Sequence, residues 1–204
     1  MEEDFAVPIC ISSEGNIKVG RVWTFSLPSF VTCPGASPWC RKHCYAWRFE
    51  KLRPNCRRGY IRNLALSLQP DRFVTHVLKS LPESASLVRI HVGGDYYSQE
   101  YCEAWESICQ ARPDTLFWSY TRSWNARILL PSLERLRQQT NLQLFASTDP
   151  DMPLPPAHWR AAFIEIDPRA NGIPCRHQQG EVASCLECGY CFNEHTGNVV
   201  FKVH

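Results

Sequence analysis

Seven of the eleven cysteines in this 204-residue chain fall into two groups whose spacing suits metal chemistry. Cys33, Cys40 and Cys44 form one group, with six and three residues between them; Cys185, Cys188 and Cys191 form C-x-x-C-x-x-C, with Cys175 upstream. Thiolates are soft ligands that select iron–sulfur clusters, zinc or cuprous ions. Three cysteines at spacing three resemble ferredoxin-type cubane ligation more than the paired knuckles of a zinc ribbon. The expectation is two [4Fe-4S] clusters. Four thiolates would close the second cluster, whereas three from one loop would leave an iron of the first open to a small molecule. Pro34, Gly35 and Pro38 stiffen and turn that first loop, and Arg41, Lys42 and His43 offset cluster charge. The plainer readings are unrelated thiols or a zinc knuckle completed by His43 for the first group, and a four-cysteine zinc site for the second.

Composition fits this chemistry. No charged n-region or apolar h-region opens the chain, and no apolar run approaches the roughly 20 residues of a membrane span. A reducing, cytoplasmic location is therefore expected, where clustered cysteines mean metal or catalysis rather than disulfides. Net charge is +2, with 44% hydrophobic and 21% charged residues, as in ordinary globular proteins.

The elements that must position these cysteines alternate between strands and helices. Strands are predicted at 21–28, 87–92, 115–121, 141–147, 162–166 and 198–203. A loop at 32–39 follows the first. A helical region from about Cys44 to Leu81 is expected to break near Pro54 and Pro70. Ser98 is a suitable N-cap for a helix to about Ala111, and Leu129, Leu130, Leu133 and Leu136 share one face of a helix at 127–139. Repeated β-α units imply a parallel sheet. With about six strands, the prediction is an α/β fold, a partial (β/α) barrel over residues 1–167 with the cluster loop at 33–44. Residues 168–204 are predicted as a small Cys-rich appendage holding the second cluster. In such folds chemistry sits at the carboxyl ends of strands, where the Cys33 loop, Gly93-Gly94-Asp95, Thr121-Arg122 and Ser147-Thr148-Asp149 fall.

At these residues the chain resembles the radical S-adenosylmethionine (SAM) enzymes, in which a three-cysteine loop follows the first strand of a partial barrel and a Gly-Gly-Glu type motif ends the second. Cys33, Cys40 and Cys44 match the loop, and Gly93-Gly94-Asp95 the motif. The loop here is C-x₆-C-x₃-C rather than C-x₃-C-x₂-C, Asp95 replaces Glu, and the aromatic neighbour of the third cysteine is Tyr45, just after it. The stretches CPGASPWCRKHCYAWR, HVGGDYYS and FWSYTRSW also resemble a small phage-associated family, gene product 88, which implies no particular activity. The radical SAM resemblance implies that the open iron binds SAM, that a ferredoxin- or flavodoxin-type donor supplies an electron, and that a carbon–sulfur bond breaks homolytically. It also implies that Asp95 holds the methionine ammonium, that Gly93 and Gly94 admit a close ligand, and that Arg122 pairs with a carboxylate.

Each feature has a plainer reading: a strand-to-helix turn at Gly93-Gly94-Asp95, a structural ion pair for Arg122, and core packing for the FWSYTRSW aromatics. Cys102 and Cys109, seven apart on a helix, are expected to pack as small apolar side chains; Cys10 and Cys56 suggest no role. Between Arg41 and Arg62 lie eight Arg or Lys and one acid, Glu50. That stretch suits nucleic-acid phosphates, although a solvated helix face is favoured. The rival functions are a SAM-independent iron–sulfur protein, working in electron transfer or open-iron Lewis-acid catalysis, and a zinc-stabilised nucleic-acid-binding module.

Overall fold

In a computed structural model, which describes residues 19–20, 22–193 and 197–203, the chain forms a seven-stranded, all-parallel sheet. Strand β1 (Trp23–Phe25) leads through α1 (Pro38–His43), α2 (Tyr45–Leu52), α3 (Pro54–Ser67) and α4 (Pro70–Ser80) to β2 (Leu87–Ile90). Helix α5 (Gln99–Ala111) joins β2 to β3 (Leu116–Thr121), and α6 (Leu130–Arg137) joins β3 to β4 (Leu142–Ser147). Then come β5 (Arg160–Ile164), the two-residue β6 (Ile173–Pro174), α7 (Arg176–Gln179), α8 (Cys185–Cys188) and β7 (Val199–Phe201).

The helix boundaries follow local chemistry. Pro54 and Pro70 each open a helix, where the missing N–H costs nothing. Ser98 caps α5 by accepting from Tyr101 N at 3.1 Å. The buried face of α5 carries Tyr101, Cys102, Trp105, Ile108 and Cys109 at helical spacing. Cys102 and Cys109 pack as apolar residues in the main core. Trp105 anchors that core, with its ring 5.4 Å from Phe25 and 5.6 Å from Phe73, both edge-on.

Strand order is β1-β2-β3-β4-β5-β7-β6. Because the first five strands lie side by side in chain order, right-handed crossovers put the intervening helices on one face. Val88, Ile90, Phe117, Leu144 and Ala146 point into the core under those helices. Alternate residues face the other way: Trp118 packs with Phe192, and Phe145 with Ala162, Val199 and Tyr120.

Two expectations change. The sheet is open: β1 and β6 are its edges, and no pairing closes it into a barrel. The segment expected as a Cys-rich appendage instead extends the sheet, with β7 between β5 and β6 and Ala162 in register with Val199. Val199 is buried, so detaching β7 would expose apolar surface and a strand edge together. Within the predicted loop at 32–39, Ser37 caps α1 and Pro38 opens it. Cys10 and the start of the first predicted strand, at Arg21, lie outside the described residues. No helix among the described residues is long and apolar enough to cross a membrane.

The start of β4 is tied to its neighbours by one side chain. Asn141 Nδ2 lies 3.0, 2.9 and 3.0 Å from the carbonyl oxygens of Cys109, Arg112 and Thr115. Replacing Asn141 by Leu strands buried carbonyls, and urea unfolding should show a loss of about 1–3 kcal/mol.

Candidate functional site

At the carboxyl ends of the strands lies a cavity of about 220 Å³. Its wall includes all seven clustered cysteines together with Tyr45, Gly93, Gly94, Asp95 and Arg122. Residues separated by up to 158 positions in the chain, Cys33 and Cys191, thus border one space.

Two buried carboxylates organise the strand ends around the first cysteine group. Asp149, wholly buried at the end of β4, accepts from Ser37 Oγ at 2.7 Å, pairs with the Arg122 guanidinium, and accepts from Asp151 N at 3.0 Å. Ser37 Oγ in turn accepts from Cys40 N at 2.9 Å. Trp39 N donates to Asp151 at 2.8 Å, so α1 hangs from the end of β4 by neighbouring contacts. Gly35 allows the same loop to lie against β3, since a Cβ there would overlap the Arg122 carbonyl. Cys44 caps α2, its Sγ accepting from Trp47 N at 3.4 Å.

Asp95 is the second carboxylate. Oδ1 accepts from Tyr96 N at 2.7 Å and Thr121 Oγ1 at 2.6 Å; Oδ2 accepts from Arg122 N at 2.8 Å and Ser123 N at 3.2 Å. These four donors match the four acceptor sites of a carboxylate. Asp95 therefore joins β2 to β3, and an ammonium would have to displace one of its donors. Gly94, at φ 77°, is required by close approach: a Cβ would fall 2.5 Å from Leu27 Cβ and 2.7 Å from Thr32 Oγ1. Arg122 is likewise committed, to Asp149 and to Met152 Sδ at 3.1 Å. Tyr45 donates from its hydroxyl to Val92 O at 2.7 Å, bringing α2 to the β2 end.

The second group is held by the far side of the sheet. Cys175 follows β6 and donates its N–H to Val200 O at 2.8 Å. Ser184 caps α8 and accepts from Glu187 N at 3.2 Å, setting Cys185 and Cys188 at the ends of a single helical turn. Cys191 packs with Tyr120, a β3 residue on the cavity face, against the cluster of Phe145, Ala162 and Val199.

Burial dominates the thiol electrostatics. It pushes Cys40 up to about 11, with Arg122 pulling the other way, and Cys191 up to about 11, opposed by the Tyr120 hydrogen bond. Cys33 is raised further, by burial and then by Asp95. Such thiols stay protonated until a metal displaces the proton. Among the described residues no three His, Cys, Asp or Glu side chains converge tightly enough to hold a single metal ion.

Several wall residues carried no sequence signal: Ser29, Arg89, His91, Tyr120 and His177. Their positions depend on strand alternation and long-range pairing. Cys56 does not line the cavity. In the basic stretch the eight Arg and Lys side chains are exposed, while Glu50 is buried and accepts from Ser29 N at 2.9 Å.

Two outcomes test this architecture. Gly35→Ala should push the cysteine loop off β3, lowering stability by about 1–3 kcal/mol and speeding reaction of Cys33 and Cys40 with a thiol reagent. His91, buried and beside Arg89, is held neutral, with its pKa lowered to about 3. The unfolded imidazole takes a proton near pH 6.5, so this contribution is complete above that pH and fades as pH falls towards 3. Asp95, raised by burial to about 6, acts oppositely. Urea midpoints between pH 7 and 4 should therefore fall more steeply in the native protein than in His91→Asn, which tolerates the φ of 61° at this position.

Comparison with known proteins bears out the gene product 88 resemblance. Over 154 residues the chain is 34% identical to the Gene 88 protein of Mycobacterium phage L5, an alignment covering 69% of this chain and 63% of that protein. The Gene 88 protein of Mycobacterium phage D29 is 32% identical over 154 residues, with 69% and 62% covered. The chain thus spans under two thirds of the length of these relatives. No solved structure matches. Residues 11–161, which include the first cysteine group and Gly93-Gly94-Asp95 but end before Cys175, match the family described as Gene product 88. The chain belongs to the Gene product 88 family.

Proposed function

We propose that the protein is an iron–sulfur enzyme of radical SAM type, with two [4Fe-4S] clusters bordering one reaction cavity. The observation that carries this reading is that all seven clustered cysteines line the same cavity at the strand ends. Cys33, Cys40 and Cys44 would hold the first cluster, and Cys175, Cys185, Cys188 and Cys191 the second. A cluster with an open iron supplies an electron and a coordination site, and a ferredoxin- or flavodoxin-type donor would refill it.

The chain's own groups do the remaining work. Ser37 and Asp149 fix the loop that carries Cys40. Asp95 and Gly94 bring the β2 end against β1 and β3, and the Tyr45 hydroxyl closes the cavity beside Cys44. Apolar walls from Ala36, Trp39 and Ile164 limit water access.

The saturated Asp95 carboxylate favours a second reading, in which the open iron acts on a ligand other than SAM, as a Lewis acid or an electron relay. Anaerobic reconstitution should yield a brown protein with about eight irons. Cys40→Ala and Cys188→Ala should each lose about half of them; a colourless protein that takes up zinc instead would refute both iron readings. With SAM and a reductant, the first reading requires 5′-deoxyadenosine and a shifted electron paramagnetic signal. A brown protein that gives neither result belongs to the second reading.

A further inference from the structure

The cavity wall contains polar atoms that the protein itself does not satisfy. Ser29 Oγ, Arg89 Nε, His91 Nδ1 and His177 Nδ1 are buried and have no hydrogen-bond partner among the described residues, and all four residues line the cavity. Buried polar groups of native proteins are normally paired, so unpaired ones in the residues around one cavity single that wall out. The set is rich in donors. A guanidinium and a hydroxyl donate, and so does each imidazole in the tautomer protonated at Nδ1. For His91 that tautomer follows if Tyr101 Oη, 2.9 Å from Nε2, is the donor there.

Arg89 is the decisive member. It projects from the middle of β2 onto the cavity face, directly across from Trp118 in the sheet register. Its guanidinium lies 4.3 Å from the Tyr120 ring centroid and 5.5 Å from that of Trp118, which holds its plane fixed. No carboxylate pairs with it among the described residues, and its one hydrogen bond, from Nη2 to His91 O, is a long 3.5 Å. The other two cavity arginines, Arg122 and Arg176, each pair with an acid, Asp149 and Glu181. Arg89 stacks on Tyr120, which packs in one cluster with Cys191 of the second group, and it lines the cavity together with Cys44 of the first. It thus stands between the two cysteine groups.

We propose that Arg89 is the anchor of an oxyanion-binding subsite between the two cysteine groups, which takes the carboxylate or phosphoryl group of the substrate. The assignment rests on this cavity being the working site. A guanidinium offers a planar fork suited to two parallel hydrogen bonds to an oxyanion. Ser29, His91 and His177 line the same cavity. An anion there also neutralises a cation that is otherwise costly to bury.

The test titrates inorganic phosphate, and separately acetate, into the full chain as purified, at ionic strength held constant with chloride. Thermal unfolding reports binding, and iron is measured on the same samples. Saturable stabilisation by either anion, with half-saturation at least about tenfold weaker in Arg89→Met, is the expected result. Arg89→Lys keeps the charge without the fork and should fall between the two, which preserves the test if Arg89→Met fails to fold. An equal response in native and variant proteins overturns the proposal, as does no response to either anion. Iron loss in Arg89→Met with an unchanged anion response would make Arg89 a partner of the clusters and also overturn it. Competition between SAM and phosphate would assign Arg89 to SAM and overturn the separate subsite. Arg89-dependent anion binding in a colourless protein would refute the iron readings while leaving the subsite standing.

Discussion

A carboxylate removed from water must be surrounded by donors, and Asp149 turns that requirement into architecture. Its partners come from three places: Ser37 in the cysteine loop, Arg122 after β3, and the backbone of its own turn at Asp151. Each contact offsets desolvation, and losing any one would leave a buried charge short of partners. The Cys40 loop is thereby registered against the sheet. Arg169 adds a second layer. Its guanidinium binds both oxygens of Asp167, at 2.8 and 2.7 Å, and donates to the carbonyls of Met152 and Asp149 at 2.8 Å each. The loop after β5 is thus bolted to the loop after β4.

The sheet divides labour between its faces. Under the helices it carries an aliphatic and aromatic core centred on Trp105. On the opposite face, Trp118, Tyr120 and Phe145 interleave with Arg89 and Arg160, whose guanidinium lies 4.1 Å from the Phe145 ring centroid. Arg160 also donates to Gln143 and to the Tyr190 carbonyl, at 2.8 and 3.1 Å. Cations over aromatic rings give this face charge without leaving the rings exposed. The cavity opens where this polar–aromatic face meets the strand ends, so the same strands supply both rigidity and chemistry.

Much of this was legible in the residues. The leucines at 129, 130, 133 and 136 marked α6, Ser98 marked the start of α5, and Pro54 and Pro70 marked the helix breaks, because each is a local signal of period or backbone geometry. The seven cysteines singled out by type and spacing, and the five residues that the radical SAM resemblance added, all line the cavity. What stayed hidden was non-local. Ile173–Pro174 is too short to show alternation, yet it pairs with β7. Helix α1 has six residues and no buried side chain, so it has no periodic signature. Closure of a sheet depends on curvature and register across all its strands, and that information is spread too thinly for any one strand to reveal it. Asp95 read as a ligand group because its four donors lie up to 28 positions away, and Arg89 looked like an ordinary strand residue because the cavity it faces is assembled from both halves of the chain.

The insertion of β7 between β5 and β6 has a consequence for the order of assembly. Val199–Phe201 follows all four cysteines of the second group in the sequence, yet Cys175 docks by donating its N–H to Val200. A chain emerging from the ribosome amino end first can complete the first cysteine loop and its five-strand platform before that anchor exists. Topology thus lets one thiol nest form before its counterpart, whose anchor needs β7 threaded between β5 and β6.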